Sequence, residues 1–147
     1  MTLLFVFVPG AFGTPEGFER IIPYLGELKT YPGLYPSCNL PDLLTADCSS
    51  DVAALRDTLL LLLDNGRDFV ILAHLFGGVV AGGAAKGLDK DSRKAEGYNN
   101  AVLGLIYCAG NITLNGKILF EAVGGAYPPF IKSNKPSEGL ALIEPVM

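Results

Sequence analysis

The sequence predicts an α/β fold, a three-layer parallel sheet with helices on both faces. Three observations lead there. Short, continuously apolar runs rich in Val, Ile and Phe occupy 3–8, 69–73 and 102–109, the composition of strands buried on both sides. Segments of helical periodicity or of small residues separate these runs, and such alternation builds parallel sheets through crossover connections. Half of the 147 residues are hydrophobic, enough for one core at the length of an ordinary domain.

In chain order, 3–8 reads as a central strand ended by Pro9-Gly10. Thr14 followed by Pro15 gives a helix cap and a proline at the first helical position. Phe18, Ile21, Ile22 and Leu25 then share one face of a short amphipathic helix, bent or ended near Pro23. Pro32, Gly33, Pro36 and Pro41 allow at most a short irregular strand in 30–41. Ser49 or Ser50 caps a second helix with an apolar stripe of Val52, Leu55, Leu59, Leu62 and Leu63, stopped by Asn65-Gly66. A strand at 69–73, a small-residue helix at 77–87 and a strand at 102–109 follow. The remainder, 111–147, contains scattered Gly and Pro with one short helix at 118–123. We read 1–147 as a single domain, with 1–110 as core sheet and helices and 111–147 as a tail or the start of a cap.

Composition excludes several classes. Net charge is −4, and the one dense charged stretch, 86–96, mixes both signs, so it reads as a solvated helix end and loop. It is not the one-signed basic patch that nucleic acid or an anionic membrane needs. Cys38, Cys48 and Cys108 show no metal-like spacing and the chain holds a single histidine, so no metal is implied. Gly10 to Gly13 lacks G-x-G-x-x-G spacing, which argues against a dinucleotide, and no cofactor is expected. The apolar start lacks a basic n-region, and no apolar run reaches the roughly 20 residues of a membrane helix. The expectation is a cytoplasmic chain with reduced thiols, in which Asn111-Ile112-Thr113 matches a glycosylation acceptor by chance.

The informative stretch is Phe69-Val70-Ile71-Leu72-Ala73-His74-Leu75-Phe76-Gly77-Gly78. A buried strand passing through a tight turn into a small-residue helix is the setting of a nucleophile elbow, G-x-S-x-G, whose flanking small residues let strand and helix pass closely. Here the five positions read Ala73-His74-Leu75-Phe76-Gly77. An isobutyl group has neither a proton to give up nor a lone pair to attack with. Leu75 is therefore a degenerate nucleophile position, and the elbow aims its neighbours His74 and Phe76 elsewhere. His74, without an acid partner, reads as a packed, hydrogen-bonded structural residue.

Together with this elbow, four further stretches carry a resemblance: Phe5-Val6-Phe7-Val8-Pro9-Gly10-Ala11-Phe12, then Thr14-Pro15-Glu16-Gly17-Phe18 and Ile22-Pro23-Tyr24-Leu25, then Asp51-Val52-Ala53-Ala54-Leu55-Arg56, and Gly104-Leu105-Ile106-Tyr107. The chain resembles the small fungal α/β-hydrolases, an esterase-like group often found near secondary-metabolism genes. The resemblance implies the N-terminal part of the α/β-hydrolase fold. It also implies an oxyanion hole built from the backbone N–H of Ala11 or Phe12 and of Phe76. In that family the acid and the histidine base follow later in the chain, so the expectation is a truncated, catalytically silent member.

Three functions follow from this reading. The first is an inactive hydrolase relative. The second is a binding or regulatory module that holds a small hydrophobic metabolite or a partner protein in an apolar cleft near Phe12, Leu75 and Phe76. The third is an active hydrolase with chemistry the sequence does not locate. The strand at 102–109 has no charged residue to protect an edge. Leu103, Leu105, Ile106 and Tyr107 are therefore expected to expose apolar surface and promote self-association.

Overall fold

A computed structural model describes residues 4–25, 28–30, 35–39 and 44–144. Strands β1 (Leu4–Val8), β2 (Leu28–Thr30), β3 (Phe69–His74) and β4 (Val102–Cys108) form one parallel sheet in the order β2-β1-β3-β4. The three apolar runs are thus the strands expected; Leu3 lies outside the described residues. β1 pairs with β3 from Leu4 opposite Phe69 to Val8 opposite Ala73. β3 pairs with β4 from Phe69 opposite Val102 to His74 opposite Cys108, with a register shift after the first pair. β2 lies just before the proline-rich stretch, since no proline interrupts 28–30. Pro32, Gly33 and Pro41 lie outside the described residues.

Helix α1 (Cys48–Asp64) starts two residues earlier than a Ser49 cap, and three earlier than a Ser50 cap, would place it. The cap is Asp47, because its carboxylate accepts from both the Ser49 and Ser50 N–H groups while Ser50 Oγ accepts from the Asp47 N–H. At the other end the helix stops where expected. Gly66, at φ 74°, lets its N–H reach the Leu63 carbonyl and that of Arg67 the Leu62 carbonyl, a Schellman closure. Leu55, Leu59 and Leu63 are fully buried along one stripe, each contributing about 2 kcal/mol by removal from water.

Helix α2 (Gly77–Ala84) is shorter than the expected 77–87, and Gly87 takes a positive φ of 72° after it. The charged stretch is not merely helix end and loop. It forms a separate helix, α3 (Lys90–Ala95), capped by Asp89, which buries Arg93. A single turn, α4 (Leu119–Ala122), matches the short helix expected in the tail. The tail also contains an antiparallel hairpin that periodicity does not announce, β5 (Ile131–Ser133) with β6 (Ala141–Ile143), forming a sheet separate from the main one.

The layering differs from expectation. Leu4, Val6 and Val8 of β1, Phe69, Ile71 and Ala73 of β3, the α1 leucines, and Val80, Ala81 and Ala84 of α2 form one core cluster. Both long helices therefore cover the same sheet face. On the opposite face Phe7 stacks at 4.6 Å against Phe18, which belongs to a 3-10 turn, Pro15–Phe18, followed by a second turn, Ile22–Tyr24. The amphipathic helix expected there does not form. Two prolines and Gly17 in ten residues leave only i→i+3 bonds, such as Gly17 N–H to the Thr14 carbonyl and Tyr24 N–H to the Ile21 carbonyl.

Candidate functional site at the β3–α2 elbow

β3 ends at His74 and α2 begins at Gly77, so Leu75 and Phe76 make the whole turn between strand and helix. Leu75 is forced to φ 48°, a left-handed conformation that costs an L-residue about 1–2 kcal/mol. The conformation is clamped by the Leu75 carbonyl, which accepts the Gly78 N–H at 3.0 Å and the Asn111 N–H at 2.9 Å. A Cβ on Gly77 would lie 2.4 Å from the Pro9 carbonyl oxygen, and one on Gly78 would lie 2.5 Å from that of Asn111. Glycine at both positions is what lets α2 pass against the strand ends.

The turn points its three side chains apart, as the elbow requires. Phe76 goes toward the helical face and meets Tyr35 edge-on at 5.5 Å. His74 goes to the opposite face and meets Phe18 edge-on at 6.4 Å. Leu75 stands at the apex, 46% exposed. The packing expected of His74 is present. A hydrogen bond to it is not among those of the described residues; its ring lies near Phe18 and Gly10.

The loop after β1 comes up beside this apex. A Cβ on Gly10 would lie 3.3 Å from Leu75 Cβ and 3.4 Å from His74 Nδ1, so the absence of a side chain at position 10 brings loop and elbow together. Gly13 N–H closes onto the Gly10 carbonyl at 3.0 Å, and Phe12 is held at φ 61°. The N–H groups of Ala11, Phe12 and Phe76 make no hydrogen bond among the described residues. These are the groups that the resemblance implies as oxyanion-hole donors. Neither a thiol nor a hydroxyl occupies the apex.

A parallel sheet with helices packed against it, the α/β class, is what the comparison with known proteins supports. The chain is 26% identical over 144 residues to a protein named Alpha/beta hydrolase nvfD from Aspergillus novofumigatus (strain IBT 16806). In sequence the chain is therefore similar to an α/β-hydrolase. The match covers 95% of this chain and 55% of that protein, so the chain spans about half the length of the relative. No family model matches it.

Apolar side chains at the elbow reach solvent. Phe12 is 51% exposed and Leu75 46% exposed. Two grooves lie elsewhere, at the amino ends of β3 and β4, one against Arg93 and Asn100 and the other against Lys94 and Asn100. Three residues support the site in roles that the sequence does not announce. Tyr35 donates its hydroxyl proton to the Pro9 carbonyl and so fixes the β1 loop from below. Asp51, fully buried, accepts from the Ser37 N–H at 2.9 Å and Oγ at 2.7 Å, holding the segment that carries Tyr35. Gly10 sets the approach of loop to apex. Among the described residues no group of His, Cys, Asp or Glu is placed to hold a metal, and no helix is long and apolar enough to cross a membrane.

Proposed function

We propose that this chain is a catalytically silent α/β-hydrolase-like protein whose elbow serves for binding. The observation that carries the reading is Leu75 at the elbow apex. The backbone keeps the strained turn that a nucleophile would need, and the side chain that turn presents has no nucleophilic atom. The open donors of Ala11, Phe12 and Phe76 survive because backbone groups do not depend on side-chain identity. The exposed pair Phe12 and Leu75 supports the second reading, a site for a small hydrophobic metabolite or an apolar segment of a partner. A setting in fungal secondary metabolism rests on the resemblance alone.

The test is a fluorophosphonate probe together with hydrolysis of short acyl esters by the pure protein. The expected result is no label at position 75 and no turnover. Stoichiometric labelling, or turnover that follows the protein through purification, would favour an active hydrolase of another mechanism.

A further inference from the structure

At the end of the sheet opposite the elbow lies a groove of about 470 Å³, lined among others by Asp64, Asp68, Arg93, Tyr98, Asn99 and Asn100. We propose that it binds a small zwitterionic carboxylic acid, with the carboxylate on Arg93 and the ammonium end toward Asp64.

Arg93 is 4% exposed. Its Nε donates to the Asn100 carbonyl at 3.1 Å and its Nη2 to Asn100 Oδ1 at 3.2 Å, and the guanidinium lies 3.8 Å over the Tyr98 ring. Among the described residues no carboxylate approaches it within 4.0 Å. A charge taken out of water and left with neutral partners is costly, and an anion would supply charge-assisted bonds about twice as strong as neutral ones.

The geometry leaves room for one. Asn100 occupies the Nε–Nη2 edge and Tyr98 covers one face, so the Nη1–Nη2 end remains, which a carboxylate can grip with both oxygens. Nη1 has no hydrogen bond among the described residues. Among the described residues no side-chain nitrogen is both sealed from solvent and unpartnered, so Nη1 is not sealed off, and Arg93 lines the groove.

The groove also selects the other end of the ligand. Asp68 is partly engaged, accepting the Ala101 N–H at 2.8 Å, and Asp64 sits free on the rim. Two carboxylates in one small groove repel a dianion such as phosphate and attract an amine. Lys90 and Lys94 line an adjoining groove of about 200 Å³ beyond Asn99 and Asn100, reinforcing positive potential on the Arg93 side. The result is a site with charges of opposite sign at its two ends.

The test is titration of the ¹⁵N-labelled protein with 4-aminobutyrate, butyrate and butylamine in turn, following the Arg93 Nε–H and the amides of Tyr98 to Ala101. The expected result is saturable shifts with 4-aminobutyrate, binding of butyrate about fivefold weaker from loss of one solvent-exposed ion pair, and no shift with butylamine. Asp64→Asn, on the exposed rim, should fold normally and make the first two ligands equal. Arg93→Lys should abolish binding. If Arg93→Lys does not fold, Asp64→Asn still decides. No saturation in the wild type, butyrate binding as tightly as 4-aminobutyrate, or a preference untouched by Asp64→Asn would overturn the proposal.

Discussion

Gly77 faces the Pro9 carbonyl so closely that a single methyl group has no place between them: its carbon would stand 2.4 Å from that oxygen and 2.5 Å from the Val8 carbonyl oxygen. The obstacles are backbone atoms of a central strand, which cannot swing aside. Gly77→Ala should therefore destabilise the fold by about 3 kcal/mol, at the upper end of overpacking costs. Gly82→Ala is the control. Its new carbon meets only the Tyr107 hydroxyl, at 3.3 Å, and the ring can shift. Urea unfolding of both variants checks the contrast, and equal midpoints would show that the elbow yields where the geometry says it does not.

That contact was legible in part. Small residues at Ala73, Gly77 and Gly78 around a buried strand end mark an elbow, because a tight strand-to-helix passage admits little else, and Leu75 at its centre reads directly as a lost nucleophile. The strands were legible because β1, β3 and the start of β4 are buried enough to be apolar without alternation. Other features depend on partners distant in sequence. Asp51 looks like an ordinary acidic residue in a first helical turn until Ser37 is placed against it. Arg93 looks like part of a solvated charge run until Asn100 and Tyr98 fold over it. The 3-10 turns and the β5–β6 hairpin carry too few periodic positions to announce themselves.

Asp51 links α1 to the segment that carries Tyr35, and its loss should be felt at the elbow. Asp51→Ala leaves the Ser37 N–H and hydroxyl without their acceptor in a buried setting, at a cost of about 2–3 kcal/mol. Ser37→Ala removes the hydroxyl but leaves the N–H bond intact and should cost less. The double variant should fall short of the sum of the two single effects by about 1 kcal/mol, since the pair shares one interaction. Strict additivity in denaturant unfolding would contradict the contact.

The helix caps predict an acid dependence. The Ser50 backbone N–H foremost, and the Ser49 N–H with it, hold the Asp47 carboxyl below the usual carboxylate range. The Ser92 hydroxyl and N–H do the same for Asp89. A folded-state pKa below the unfolded value means stability that is fully present above about pH 4 and is lost as pH falls through the folded value. Asparagine caps helices without titrating in this range. The difference in stability between wild type and the pair Asp47→Asn, Asp89→Asn should therefore shrink or reverse as pH falls from 5 to about 2. Parallel acid titrations of helical circular dichroism would count against it.

Restoring the apex hydroxyl asks how much of the catalytic apparatus these residues hold. Leu75→Ser places an oxygen beside Gly10 and the open N–H groups, yet His74 is turned toward Phe18, and the 147 residues contain no second histidine to act as base. An oxyanion hole without a working triad accelerates hydrolysis by about 10³–10⁴ over water. Activity of Leu75→Ser on short esters should therefore stay near that level, with slow fluorophosphonate labelling as the sensitive readout. Turnover near 10 s⁻¹, ordinary for an enzyme, would mean that a base is present and the assignment of His74 is wrong.

The final prediction concerns β4. It pairs with β3 on one side, and the tail strands pair with each other in a separate sheet. Leu103 and Ile106 are 47% and 45% exposed along it, while Leu105 and Tyr107 are half-buried against the helical face. No lysine, proline or acidic residue interrupts the strand, and the register shift at its start leaves the stretch from Gly104 to Cys108 regularly paired, so charge and proline do not protect this edge. A second copy offers the same edge. Two β4 strands run antiparallel about a twofold axis can satisfy each other's backbone groups and bury Leu103 and Ile106, a closed arrangement that stops at a dimer. The expected outcome is a concentration-dependent dimer in light scattering at micromolar protein. Leu103→Lys should shift it toward monomer by placing a charge where the strands would meet, and should leave the unfolding midpoint of the monomer nearly unchanged because the side chain is half in water already. A wild-type monomer at every concentration, with one cooperative transition, would show that this edge needs no partner.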